Sequence, residues 1–171
     1  MRALVTLAFL SFSLSFFAAE AAGLKVGDQA PCVVLNNIAA NGMESEHCIR
    51  DPKVAGQAKV LEFFSATCSD CHENLPIVSA LADRLDRKAT LRLVGIDRSE
   101  TLLRDYIHQH ADLIHFDVAL DTNRDAKRAY DIIETPTTFV LDAHNKVLFR
   151  QAGVLTPAEL KTIETLVGVS R

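Results

Sequence analysis

Two cysteines three residues apart, Cys68 and Cys71, are the residues of this chain best placed to do chemistry. They follow a short apolar run, Val60-Leu61-Glu62-Phe63-Phe64, and a polar turn, Ser65-Ala66-Thr67. That order reads as a buried strand, a turn and the start of a helix. A thiol at a helix N-terminus meets unsatisfied N–H groups and the positive end of the helix dipole, which favour its thiolate. A second thiol three residues on can close a disulfide with it. The pair is therefore read as a dithiol redox centre. The same letters, Cys68-Ser69-Asp70-Cys71-His72, also fit the C-x-x-C-H attachment signature of c-type haem. Haem would need a second axial ligand, and after the N-terminal segment the chain has one methionine, Met43. A redox-inactive or metal-binding module is the other alternative.

Glu62 interrupts the apolar strand, where a carboxylate is costly unless it is partnered or protonated. Burial would raise its pKa and fit it to exchange protons near neutrality; an edge strand would instead let it reach water. Pro136, in Glu134-Thr135-Pro136-Thr137-Thr138, must open a strand or sit in a turn, with either a cis or a trans bond. His72 follows Cys71 and either tunes the thiol or faces water. His108, His110, His115 and His144 read as surface, and His47 beside Cys48 supplies too few ligands for a structural metal site.

The elements that must hold these groups alternate. After the dithiol, Leu75, Val78, Leu81, Ala82 and Leu85 recur at helical spacing, with Pro76 expected to kink the helix. A strand over 91–96 follows, then a helix capped by Ser99, a strand over 116–120, and a turn and helix over 121–130. Two strands, 137–141 and 146–151, precede a last helix opened by Thr156-Pro157 and ending near Gly168. Strands alternating with helices, then a hairpin and a closing helix, give an α/β layer fold with a mixed sheet.

The 171 residues make room for one domain with a substantial core. A formal charge of −4 without a basic stripe argues against nucleic-acid binding. Residues 1–21 carry Arg2, an apolar run and the small-x-small site Ala19-Glu20-Ala21. They read as a signal peptide cleaved before Ala22, or as an uncleaved membrane anchor, with a single domain over 22–171. Either places the domain outside the cytoplasm, where disulfides persist. A hairpin reversing just before Asn41-Gly42 would bring Cys32 and Cys48 opposite each other, and they are expected to form a structural disulfide; a second redox pair is the alternative.

VLEFFSATCSDCHENLP and YDIIETPTTFVLD together resemble the thioredoxin superfamily, most closely the exported TlpA/ResA/CcmG-like thiol-disulfide oxidoreductases. The resemblance runs over roughly residues 24–170. It implies a three-layer fold with a central mixed β-sheet flanked by helices, preceded by an N-terminal β-hairpin. It implies that Cys68 attacks, that Cys71 resolves, and that Glu62 stands at the position of the buried acid serving the resolving thiol. Pro136 matches the cis-proline packed against the dithiol, and Thr135 the residue whose backbone pairs with a substrate peptide. Phe64 and Thr67 stand at substrate-contact positions where the family often carries tryptophan. Asp70 replaces a common proline, Glu134 a common glycine, and Asn74 a glutamate of some ResA-like proteins. No cofactor or metal is implied. The partners implied are a disulfide-bearing protein and a membrane thiol donor of DsbD/CcdA type, in periplasmic redox homeostasis and cytochrome c biogenesis.

Overall fold

A computed structural model describes residues 23–50, 56–85 and 87–169. The expected leader over 1–21 and its boundary at Ala22 lie outside the described residues.

Seven strands form one mixed sheet in the order β2-β1-β5-β4-β3-β6-β7. In chain order these are β1 (Val34–Ile38), β2 (Glu44–Cys48), β3 (Ala58–Phe64), β4 (Ala89–Gly95), β5 (Asp117–Leu120), β6 (Thr137–Leu141) and β7 (Val147–Ala152). The helices are α1 (Ser69–Arg84), α2 (Glu100–Gln109), α3 (Asp125–Ala129) and α4 (Pro157–Leu166). Strands β3, β4 and β5 run parallel, and β6 lies antiparallel against the other side of β3. β3 is therefore central, paired on both edges. That placement decides the fate of Glu62, because a central strand covered on both faces has no route to water.

Side chains alternate across β3. Val60 and Phe64 join one core with Leu75, Val78 and Leu81 of α1, Leu103 and Tyr106 of α2, and Ile163 of α4. Leu61 and Phe63 join the opposite core with Ala126 of α3, Tyr130 and Phe139. The helix starts are fixed by side chains. Ser99 accepts from Leu102 N at 3.2 Å. Thr156 and Glu159 form a reciprocal capping box with Pro157 in the first turn. Asp121, fully buried, accepts from Ala126 N and Lys127 N at 3.1 and 2.7 Å.

α1 is continuous from Ser69 to Arg84 with Pro76 inside it, and Leu75, Val78 and Leu81 seat in the core. One local expectation changes. In the N-terminal hairpin, Val34 and not Cys32 is the residue opposite Cys48. Cys32 lies beyond the strand end and still forms the disulfide with Cys48, their Cα atoms 5.4 Å apart. Gly42, at φ +80°, takes the left-handed position that the turn requires.

Candidate active site

The C-terminal end of β3 delivers its chain directly into the turn before α1, and the dithiol sits where the two meet. Cys68 is the N-cap of α1, with φ −90° and ψ 119°. Its Sγ accepts from Cys71 N at 3.1 Å, taking one of the first-turn donors that α1 cannot satisfy itself. The same sulfur donates to Thr135 O at 3.2 Å. Both thiols are free, Cys68 half-buried and Cys71 buried at 3% exposure. Burial foremost, and then the hydrogen bond with Cys68, pushes the Cys71 thiol well above the ordinary cysteine range. Cys71 therefore needs a base before it can attack.

Glu62 is 3% exposed on the α1 side of the sheet. Asn74 Nδ2 donates to Oε1 at 2.7 Å and Thr138 Oγ1 to Oε2 at 2.5 Å. Burial raises its pKa from 4.5 to about 7, against the lowering effect of those two donors. Glu62 and Cys71 face one small cavity of about 10 Å³, walled by Phe64, Leu75 and Tyr106, which is about the size of a single water. The Tyr106 phenol is pushed up to about 12 by burial first, then by the charges of Cys71, Cys68 and Glu62.

The Thr135–Pro136 peptide is cis, and Pro136 is buried. The structure thus brings Cys68, Cys71, Glu62, Thr135 and Pro136 into one site, with Thr67 exposed on the turn beside it. Phe64 needs correction. Expected at a contact surface, it is 3% exposed and packs on Tyr106 with ring centroids 5.1 Å apart. As the last residue of β3 on the Glu62 face, it lies beneath the dithiol and cannot touch a substrate. Cys32 and Cys48 are apart from the site, at the β1–β2 end of the sheet.

Asp97 and His110 were not legible in advance as site residues, and Asn74 was marked only by the resemblance. Asn74 is 1% exposed, and besides holding Glu62 it accepts from Leu155 N at 2.9 Å. Its signal was a polar residue on the buried stripe of α1, between Cys71 and Leu75. Asp97 accepts from Ser65 Oγ and Ala66 N, both at 2.8 Å, and so clamps the turn that presents Cys68. His110, read as plain surface, lies on Tyr106 at 4.3 Å and near His72 at 5.5 Å. Among the described residues no cluster of three or more metal-ligating side chains occurs, and no helix is long and apolar enough to cross a membrane.

Comparison with known proteins gives consistent matches. The AhpC/TSA family profile matches residues 26–150. The thiol-disulfide oxidoreductase ResA of Bacillus thuringiensis is 24% identical over 140 residues, covering 81% of this chain and 76% of that protein. A Chlorobium tepidum structure described as thiol:disulfide interchange protein DsbE superposes with a TM-score of 0.69 at 24% identity, over 86% of this chain and 99% of that one. The thioredoxin domain of a Bacteroides vulgatus thiol-disulfide oxidoreductase gives 0.67 at 23% identity, over 84% and 99%. The fold is thioredoxin-like.

Proposed function

From the premise that this chain belongs to the AhpC/TSA family, we propose that it is an exported thiol-disulfide oxidoreductase that reduces protein disulfides. The observation that carries the reading is the Cys68 sulfur, held between the Cys71 N–H and the Thr135 carbonyl, above a buried acid tuned to about 7. The Cys71 N–H and the Thr135 carbonyl fix the Cys68 sulfur at the start of α1, half-buried and facing the exposed turn at Thr67. Cys68 attacks one sulfur of a target disulfide. A Cys68–target disulfide forms, and the other target sulfur leaves as a thiolate that takes up a proton. Cys71 then passes its proton to Glu62 and attacks Cys68 Sγ. The Cys68–Cys71 disulfide forms, and the second target sulfur leaves as a thiolate. The two electrons are restored by an external thiol donor, for which a membrane protein of DsbD/CcdA type fits the resemblance. Export rests on the leader-like segment over 1–21 and on the Cys32–Cys48 disulfide. Thr135 would pair its backbone with the target, with Thr67 at the rim.

The test is catalysis of peptide-disulfide reduction by dithiothreitol. The protein should accelerate it, and Cys68→Ser should return the rate to background. Acceleration that survives in Cys68→Ser would remove the assignment.

The direction of transfer follows from the charges around the dithiol. Asp70 lies between the cysteines, and Asp70, Glu73 and Glu134 are all exposed near it. Negative charge opposes a thiolate, destabilises the reduced pair and makes the protein a reductant. Asp70→Asn removes one such charge, so its potential should move upward, by up to about 20 mV for one solvent-exposed group. An equilibrium with glutathione measures it, and a downward shift would contradict the electrostatic account.

A further inference from the structure

Of the large apolar side chains exposed among the described residues, Ile133 is the most open, at 81%. Its neighbour Ile132 is 3% exposed and packed in the core with Tyr130 and Phe139, so the next side chain is turned outward. The segment that carries it is braced from within. Arg150 Nη2 donates to Asp131 O at 2.9 Å, Lys127 Nζ to Ile132 O at 2.8 Å, and Thr137 Oγ1 to Glu134 O at 2.7 Å. Ile133 is therefore an apolar group on a fixed support, which binds a partner at little ordering cost.

Its position says what covers it. Thr135, two residues on, has its carbonyl 3.2 Å from Cys68 Sγ. Two residues of chain span at most about 7 Å, so Ile133 lies on the same short loop that reaches the reacting sulfur through Thr135. A target joined to Cys68 by a disulfide bond must lie over this loop. The other residues at the rim offer it little apolar surface: Phe64 is buried, Thr67 is small and polar, and Asp70, Glu73 and Glu134 are charged. Val26, Val34 and Met43 belong to the N-terminal lead and hairpin, Leu102, less than half as exposed as Ile133, to the first turn of α2, and Leu166 to the end of α4.

We propose that Ile133 is a specificity determinant that selects target disulfides whose reacting cysteine is flanked by an apolar side chain. The proposal rests on the oxidoreductase reading. Burying an exposed isoleucine against an apolar partner corresponds to roughly a ten- to hundredfold gain in kcat/KM.

The experiment uses two otherwise identical peptide disulfides, with leucine or serine beside the cysteine, and hydroxyethyl disulfide as a flankless control. Wild type should reduce the leucine peptide at least about tenfold more efficiently, mainly through KM. Ile133→Ser should lose that preference and Ile133→Leu keep it, with the reduction potential of both variants equal to wild type. A shift in potential would mark damage to the dithiol instead and overturn the proposal. Equal wild-type efficiency on the two peptides, or a preference that survives in Ile133→Ser, also overturns it while leaving the oxidoreductase reading intact. No reduction of the peptides or of hydroxyethyl disulfide sinks that reading, and the proposal with it.

Discussion

At about pH 8, Glu62→Gln should unfold at a temperature about 6–12 °C above wild type while turning over disulfides roughly a hundredfold more slowly. The stability gain follows from linkage. Between its ordinary value of 4.5 and its folded value of about 7, Glu62 keeps a proton in the folded state that the unfolded chain has released. Wild-type stability therefore falls as pH rises through that window, and the loss is complete above it, at roughly 3 kcal/mol for the size of the shift. Glutamine is permanently neutral and escapes the cost. It also fits the site's donors: its oxygen can accept from Asn74 Nδ2, while the Thr138 hydroxyl can rotate to accept from its amide. The difference in melting temperature should vanish below about pH 4.5, where both side chains are uncharged. The kinetic loss comes from Cys71, whose raised thiol shares its cavity with Glu62 as the one carboxylate among the lining residues. Resolution in wild type should slow as pH falls through about 7; in the variant that inflection should disappear. Thermal melts across pH and stopped-flow resolution rates check the two halves separately. A variant no more stable than wild type at pH 8 would mean that Glu62 carries no buried charge.

Cys71→Ser should convert the protein into a trap. Cys68 would keep its place at the start of α1, since the donor at position 71 is the backbone N–H and survives the change. Attack on a target disulfide would proceed, and the mixed disulfide would persist because nothing remains to displace the target. Near-stoichiometric adduct on Cys68 should be visible by mass spectrometry under non-reducing conditions, with multiple turnover down by roughly a hundredfold or more. Cys68→Ser should form no adduct, because Cys71 is 3% exposed and cannot meet a protein disulfide. The reverse pattern, with adduct on Cys71, would invert the roles.

The parts legible in the sequence were those that local pattern determines. The apolar run of β3, the stripe Leu75–Val78–Leu81–Leu85 and the Ser99 and Thr156 caps all stand where hydrophobic period and cap chemistry put them. Glu62 was conspicuous because a carboxylate amid valine, leucine and phenylalanine has few ways to be stable. What escaped depended on strand order and on contacts between helices. Asp97 reaches Ser65 and Ala66 because β4 pairs beside β3 in parallel register, which no local signal states. Tyr106, His110 and His72 meet only when α2 packs beside α1. Phe64 was misplaced for a simpler reason. The period of two along β3 puts it on the face of Val60 and Glu62, beneath the helices, and the resemblance to surface-contact positions overrode that reading. Ile133 has no periodic signature, and its exposure follows from a braced loop that only the folded chain displays.

The central claim is that Cys68 and Cys71 form one two-electron couple poised for reduction while Cys32–Cys48 stays closed. A redox titration against glutathione or dithiothreitol, with thiols counted by mass spectrometry at each point, tests it most directly. The account predicts that two thiols, Cys68 and Cys71, appear and disappear together at a potential nearer about −270 mV than about −120 mV, with Cys32–Cys48 oxidised throughout. Failure of Cys68 and Cys71 to cycle, or four cysteines cycling at one potential, would contradict it.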